Sequence, residues 1–123
     1  MKWHIDSERP VYIQLMEQIQ SGIISGYFKP GDKIPSVRDL AAQAGVNPNT
    51  MQKALVELER TGLVHTNRTS GRYITSDTEI IKNLKEESAN SIIMDFLNNM
   101  KKIGFKKEEI LEIITRIIEE MKE

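Results

Sequence analysis

The chain has 123 residues and a mass of 14.1 kDa, which suits one ordinary domain or a small domain with a dimerisation appendage. Hydrophobic residues make up 39% and charged residues 28%, as in soluble globular proteins, and the lack of cysteine excludes disulfide frameworks, thiol catalysis and cysteine-based zinc or iron–sulfur sites. The net charge of -1 indicates no global polycation, and without a signal-peptide pattern or an apolar run of roughly 18 residues we expect a cytoplasmic protein with no membrane partner.

The first segments predict an N-terminal arm followed by a helix. Residues 3–5 are apolar at alternate positions, which is compatible with a short strand or an extended arm. Pro10 then occupies a position typical of a first helical residue, and apolar residues recur at helical spacing as far as Ile24. We therefore predict a helix over residues 11–25, ended by Gly26.

Two further helices are predicted, with a tight turn between them. Ser36 and Asp39 resemble a capping box, which predicts a helix over 37–44 with Gly45 just past its end. Asn47 offers a second N-cap before Pro48, so the next helix should run from there to about Arg60. Helices joined by so short a turn are typical of the helix-turn-helix motif.

A two-stranded hairpin is expected after the third helix. Residues 63–67 and 73–75 favour strands, and residues 68–72 form the polar turn between them. Two short strands are not stable alone in water, so this hairpin must pack against the helices. A hairpin in this position makes residues 1–76 a winged helix-turn-helix domain, within a mainly α (α+β) chain.

The polar residues of this domain suit contact with double-stranded DNA. The second helix of such a motif enters the major groove with its N-terminal residues towards the bases, where Asn, Gln, Thr and Lys can contact base edges or phosphates. Arginines beside a wing turn suit phosphates or a narrow minor groove. The predicted contacts are Ser36, Arg38, Asn47, Asn49, Thr50, Gln52, Lys53, Arg68, Thr69, Ser70, Gly71 and Arg72. Plain helix capping is the alternative role for Asn47, and a surface ion pair with Asp39 or Asp32 is the alternative for Arg38.

The order of these residues resembles the signature of the GntR family of transcription regulators. The resemblance covers about residues 8–76 and rests on residues 10–15, 45–50, 71–74 and the run Gly31-Asp32-Lys33-Ile34-Pro35-Ser36-Val37-Arg38-Asp39-Leu40-Ala41. The family commonly has Ser-Arg where this chain has Asn47-Pro48, and the Asn-Pro-Asn-Thr form is similar to the YtrA-type subfamily. The resemblance implies DNA contact from Ser36, Arg38, Asn47, Asn49, Thr50 and the wing around Gly71.

Residues 77–123 predict a helical tail used for dimerisation. They carry eight Lys/Arg against eleven Asp/Glu, whereas residues 1–76 carry nine against seven. Residues 85–91 are a polar interval, compatible with a continuous helix or with a break. The tail is too short to enclose a ligand pocket of the usual size, so its apolar stripes need a partner surface. The residues expected at the dimer interface are Ile92, Ile93, Phe96, Leu97, Met100, Ile110, Ile113, Ile114, Ile117, Ile118 and Met121. A tail folded back on its own DNA-binding domain is the alternative, and the resemblance to YtrA-type regulators favours the dimer.

These patterns together predict a dimeric repressor that occludes a promoter by binding a roughly palindromic operator. The resemblance implies control of a nearby operon, often one encoding an ABC transporter, and leaves room for an unidentified small-molecule effector. The alternative is a winged-helix protein–protein adaptor, which would favour an acidic or apolar wing. An enzyme is not expected, because His4 and His65 lie far apart and no phosphate-binding glycine loop is present. We predict no cofactor and no metal.

Overall fold

Within residues 1–122, which the computed structural model describes, the chain forms five helices and one two-stranded antiparallel sheet. The elements in chain order are α1 (Val11–Ile24), α2 (Val37–Ala44), α3 (Pro48–Arg60), β1 (Val64–Asn67), β2 (Gly71–Ile74), α4 (Thr78–Lys102) and α5 (Lys107–Glu120). The chain divides into two compact units, Met1–Lys85 and the residues from Glu86 onward. The predicted fold class is confirmed: an N-terminal winged helix-turn-helix is followed by C-terminal helices.

The ends of α2 and α3 are set by local side-chain and backbone chemistry. The Ser36 hydroxyl accepts a hydrogen bond from the Asp39 amide at 3.1 Å, and the Asn47 carboxamide oxygen accepts one from the Asn49 amide at 2.8 Å. Each bond satisfies a backbone donor that has no partner inside its helix. Gly45 ends α2 at φ 70°, a left-handed conformation that glycine adopts without steric penalty. These contacts confirm the predicted helix-turn-helix.

The core of the N-terminal unit is built around α3, which packs against α1, α2 and β1. Its apolar face is buried while its polar N-terminal residues stay outside, because the apolar positions recur at helical spacing. The most deeply buried side chains are Leu15, Ile19, Leu40, Ala41, Met51, Ala54, Leu55, Leu58, Val64 and Ile74. The orientation of α3 is therefore fixed from three sides.

The wing differs from its predicted form in two respects. The turn is shorter than expected, since β2 begins at Gly71, and the register pairs Asn67 with Gly71 and Val64 with Ile74. The other edge of β2 is also paired, because the Ile34 amide donates to the Arg72 carbonyl at 3.0 Å and Lys33 forms a bridge with Tyr73. The segment before α2 forms no regular strand, yet it satisfies backbone groups that an edge strand would leave open.

The N-terminal arm is extended and is held by two glutamines of α1. Gln18 accepts a hydrogen bond from the His4 amide at 2.9 Å and donates one to the His4 carbonyl at 2.7 Å. Gln14, which is buried, makes the equivalent pair of bonds with the amide and carbonyl of Asp6. Side-chain amides thus satisfy backbone groups that a neighbouring strand would otherwise bind. Of the two alternatives for this segment, the extended arm is the observed one.

The tail is formed by two helices and a turn. Helix α4 is continuous through residues 85–91, and its first apolar residues, Ile80, Ile81 and Leu84, pack on the core of the N-terminal unit. In the C-terminal unit, Gly104 turns the chain at φ 98° before α5. None of the helices among the described residues is both long and apolar enough to span a membrane.

The predicted interface residues of the tail fall into three classes of exposure. Ile110 is 1% exposed, so its side chain belongs to the interior of a single chain and is not available to a partner surface. Leu97, Met100, Ile113 and Ile114 are half-buried. The rest are exposed, namely Ile92, Ile93, Phe96, Ile117, Ile118 and Met121. Three further exposed apolar residues, Met94, Ile103 and Leu111, were not predicted.

Candidate nucleic-acid interface

A groove of about 870 Å³ lies between the wing, the start of α2 and one residue of α3. Its walls are the segment from Lys33 to Val37, Asp39, Gln52 of α3 and the wing from Thr66 to Arg72. Of the predicted contact residues, the groove brings together Ser36, Gln52, Arg68, Thr69, Ser70, Gly71 and Arg72. Residues distant in sequence therefore meet on one surface, as the predicted DNA contact requires.

The other predicted contact residues do not line this groove. Asn49 is exposed and Thr50 half-buried at the start of α3, while the Asn47 side chain serves as the N-cap. Lys53 turns towards α1, where its ammonium group lies 4.0 Å from the centre of the Tyr12 ring. A cation over an aromatic face is attracted by the ring quadrupole, so this contact orients the Lys53 side chain.

Arg38 and Arg68 are exposed cations, and among the described residues neither forms an ion pair. The alternative pairing of Arg38 with Asp39 or Asp32 is therefore not observed. At the wing tip, the Asn67 carboxamide oxygen accepts hydrogen bonds from both the amide and the hydroxyl of Thr69, at 3.0 and 2.9 Å. This local bonding shapes the turn and leaves the guanidinium of Arg68 free for an anion.

Arg72 has a different environment from Arg68. Its Nε donates a hydrogen bond to Glu59 Oε1 of α3 at 2.7 Å, and the side chains of the pair are 17% and 29% exposed. The Thr66 hydroxyl donates to the same carboxylate oxygen. Burial raises the pKa of Glu59, but the hydrogen bonds from Arg72 and Thr66 and the nearby positive charge outweigh burial and hold that pKa below its ordinary value.

The lowered pKa of Glu59 predicts an acid-dependent loss of stability. The carboxylate stabilises the folded state fully above its unfolded pKa, near 4.5, and this contribution is lost as the pH falls through the lower folded pKa. Glu17, whose pKa is lowered by its hydrogen bond with Arg9, acts in the same direction. We expect Glu59→Gln to lower the free energy of unfolding by about 1 kcal/mol at neutral pH. The loss is modest because the Glu59–Arg72 pair is partly exposed.

Thermal unfolding followed from neutral pH to about pH 3 checks this prediction. The difference in Tm between the wild-type protein and Glu59→Gln should narrow as the pH falls. A difference in Tm that is the same at neutral pH and at about pH 3 would contradict the prediction.

Lys33 is a cation of the groove that sequence reasoning missed. Gly71 has φ +118°, and a Cβ there would lie 3.1 Å from Lys33 Cε, so the start of β2 approaches this side chain closely. Lys33 stands in an irregular segment without helical or strand periodicity. The available signals were its place in the signature run from Gly31 to Ala41 and its position two residues before Pro35.

The chain is similar to known transcription regulators over most of its length. The family model for bacterial regulatory proteins of the gntR family matches residues 11–74. The HTH-type transcriptional regulator YhcF of Bacillus subtilis is 41% identical over 113 residues, or 92% of this chain and 93% of that protein. The HTH-type transcriptional repressor YtrA of Bacillus subtilis is 45% identical over 73 residues, or 59% of this chain and 56% of that protein.

Solved structures agree with these relatives. A GntR family transcriptional regulator from Listeria monocytogenes has a TM-score of 0.84 at 37% identity, covering 91% of this chain and 98% of that one. The AraR DNA-binding domain in complex with operator ORX1 has a TM-score of 0.53 at 28% identity, covering 61% of this chain and 99% of that one. The expected resemblance is confirmed. The chain belongs to the GntR family of bacterial regulatory proteins, which are DNA-binding transcription regulators, and is similar to YtrA and YhcF within it.

Proposed function

We propose that the protein is a homodimeric repressor that binds a roughly palindromic operator and blocks the promoter that contains it. The observation that carries this proposal is the groove in which the start of α2, Gln52 of α3 and the wing converge beside the exposed cation Arg68. A groove with this composition suits a phosphate backbone next to base edges. The similar AraR domain, which is bound to operator DNA, supports the same use of the fold.

The side chains divide into base-reading and phosphate-binding groups. Asn49, Thr50 and Gln52 lie at the start of α3, where they can reach base edges in the major groove. Arg38 of α2 and Arg68 of the wing supply exposed guanidinium groups, with donor geometry that matches phosphate oxygens. Ser36 and Asn47 already accept hydrogen bonds as N-caps, so their contribution to binding would come through helix ends that favour anions.

The C-terminal helices support the dimer. Ile92 and Phe96 share one face of α4 and are 69% and 36% exposed, and Ile103, in the turn just past the end of α4, is 69% exposed. On α5, Leu111 and Ile118 share a face and are 66% and 60% exposed. So much exposed apolar surface on the two C-terminal helices is stabilised by a second copy, because burial of the same stripe on both chains removes it from water.

The dimer places two DNA-binding domains on one operator. Two-fold symmetry of the protein then matches the symmetry of the half-sites, which lie about one helical turn or more apart. We propose an operon near the protein's own gene as the target, as the resemblance to YtrA-type regulators implies. A small-molecule effector would act by changing the distance between the two DNA-binding domains of the dimer.

We expect the protein to bind its own upstream DNA far more tightly than random DNA, with an affinity that falls steeply with salt. Arg38→Ala and Arg68→Ala should each weaken binding and lower the slope of log affinity against log salt by about 1.8, because each removes one phosphate contact from both protomers of the dimer. Fluorescence anisotropy across a salt series measures both quantities. Arg60→Ala is the matched control, since Arg60 is an exposed arginine at the C-terminal end of α3, whereas the proposed base-reading residues lie at the start of that helix.

Two outcomes would contradict the proposal. If the wild-type protein binds its upstream DNA no more tightly than random DNA, operator recognition is wrong and a protein–protein adaptor is favoured. If Arg60→Ala reduces the salt slope as much as Arg68→Ala, the assigned contact surface is wrong.

A further inference from the structure

Arg72 joins the three elements that form the groove. Its side chain donates to Glu59 near the C-terminal end of α3, at 2.7 Å. Its backbone carbonyl accepts from the Ile34 amide at 3.0 Å, two residues before the N-cap Ser36 of α2. Arg72 itself belongs to β2 of the wing. One residue therefore contacts the wing, the approach to α2 and the end of α3.

The two wing arginines have different surroundings. Arg68 is exposed and forms no ion pair among the described residues, whereas the Arg72 side chain is 17% exposed and its Nε already donates a hydrogen bond to Glu59. The Glu59 carboxylate is held in place by Thr66 of β1 as well, so it contacts both strands of the hairpin. A two-stranded hairpin is marginal by itself, and this cluster supplies a charged connection to the helix beside it.

We infer that Arg72 is a positioning residue that fixes the wing relative to α2 and α3, and that it is not a phosphate ligand. The inference rests on the proposed operator binding. The cluster of Arg72, Glu59 and Thr66 holds the wing tip so that Arg68 meets the duplex while α3 is in the major groove. Arg72 was predicted to contact DNA directly, and its engagement with Glu59 is the reason for assigning it the other role.

Replacement of Glu59 distinguishes the two possible roles of Arg72, because they predict opposite changes in the affinity for DNA. If Arg72 is a positioning residue, Glu59→Ala releases the wing, and the affinity for upstream DNA falls about tenfold. If Arg72 is a phosphate ligand, the same change frees its guanidinium, removes a negative charge and strengthens binding. Glu57→Ala is the matched control, because it removes a carboxylate from the same helix whose partner is the exposed Arg60.

The double variant Glu59→Ala with Arg72→Ala tests whether the two residues act as one unit. We expect it to bind about as weakly as either single variant, since each change breaks the same connection. Glu59→Gln, which keeps an acceptor oxygen, should recover part of the affinity. Additive losses in the double variant, or tighter binding by Glu59→Ala relative to Glu57→Ala, would overturn the inference.

A measurement without DNA keeps this test distinct from that of the proposed function. Amide chemical shifts of the full-length protein should change at the wing tip (residues 67–70) and at the start of α2 in both Glu59→Ala and Arg72→Ala, while amides in the middle of α1 stay unchanged and so report an intact fold. Unchanged shifts at the wing tip in both variants would overturn the positioning role, whatever the DNA affinity. Absence of specific DNA binding by the wild-type protein would instead count against the proposed function.

Discussion

Glu in place of Ile118 should convert the protein to monomers and weaken operator binding by about 100-fold or more. Ile118 is 60% exposed in the single chain, so the substitution leaves the interior of that chain intact. In the proposed dimer the same side chain is covered by the partner, where an unpaired carboxylate is strongly unfavourable. Loss of the dimer also removes the gain that comes from binding two half-sites at once.

Analytical ultracentrifugation and anisotropy with operator DNA measure the two parts of this prediction. Arg116→Glu is the control, because Arg116 is exposed on the opposite side of α5 from Ile118 and the substitution adds even more negative charge. It should leave the dimer intact. A wild-type protein that sediments as a monomer at operator-saturating concentrations, or an Ile118→Glu variant that remains dimeric, would contradict the proposed interface.

Leu55→Ala should destabilise the N-terminal unit by about 2–5 kcal/mol. Leu55 is 0% exposed on α3, the helix that packs against α1, α2 and β1. Its truncation removes apolar contacts and leaves a cavity that the surrounding helices can only partly close. A domain of this size has little stability in reserve, so a measurable fraction of the protein should be unfolded at physiological temperature.

Chemical denaturation followed by circular dichroism measures this loss. Val56→Ala is the matched control on the adjacent position of α3, where the side chain is only half-buried, and it should cost about 1 kcal/mol or less. Equal losses for the two variants would show that α3 does not sit in the core as described.

The elements predicted from the sequence are largely those of the structure, because local chemistry decides them. Ser36 and Asn47 cap α2 and α3 through hydrogen bonds that span only two or three residues, and Gly45 adopts the left-handed conformation that the turn requires. The buried face of α3 follows in the same way from the spacing of Met51, Ala54, Leu55 and Leu58, since that face depends only on the helical period. The sequence left undecided whether residues 85–91 continue a helix or break it, and the structure shows a continuous helix there.

The candidate site was only partly predictable. The sequence placed Arg68, Gln52 and Ser36 in the candidate set, and the structure brings all three to one groove. Lys33 was missed because the segment before α2 has no periodicity, and its bridge to Tyr73 joins residues that are distant in the chain.

By itself the sequence determined the order and limits of most helices, the helix-turn-helix and the family, because caps, turns and apolar periods are local and the signature spans a long run of residues. Tertiary structure alone decided the partner of each charged or apolar side chain. Arg68 and Arg72 look alike in sequence, yet only Arg72 meets Glu59, and Ile110 lies in the same stripe as Ile117 but is buried while Ile117 is 50% exposed. Which side chains meet depends on how the helices and the wing pack together, and no local sequence pattern specifies contacts between residues that are far apart in the chain.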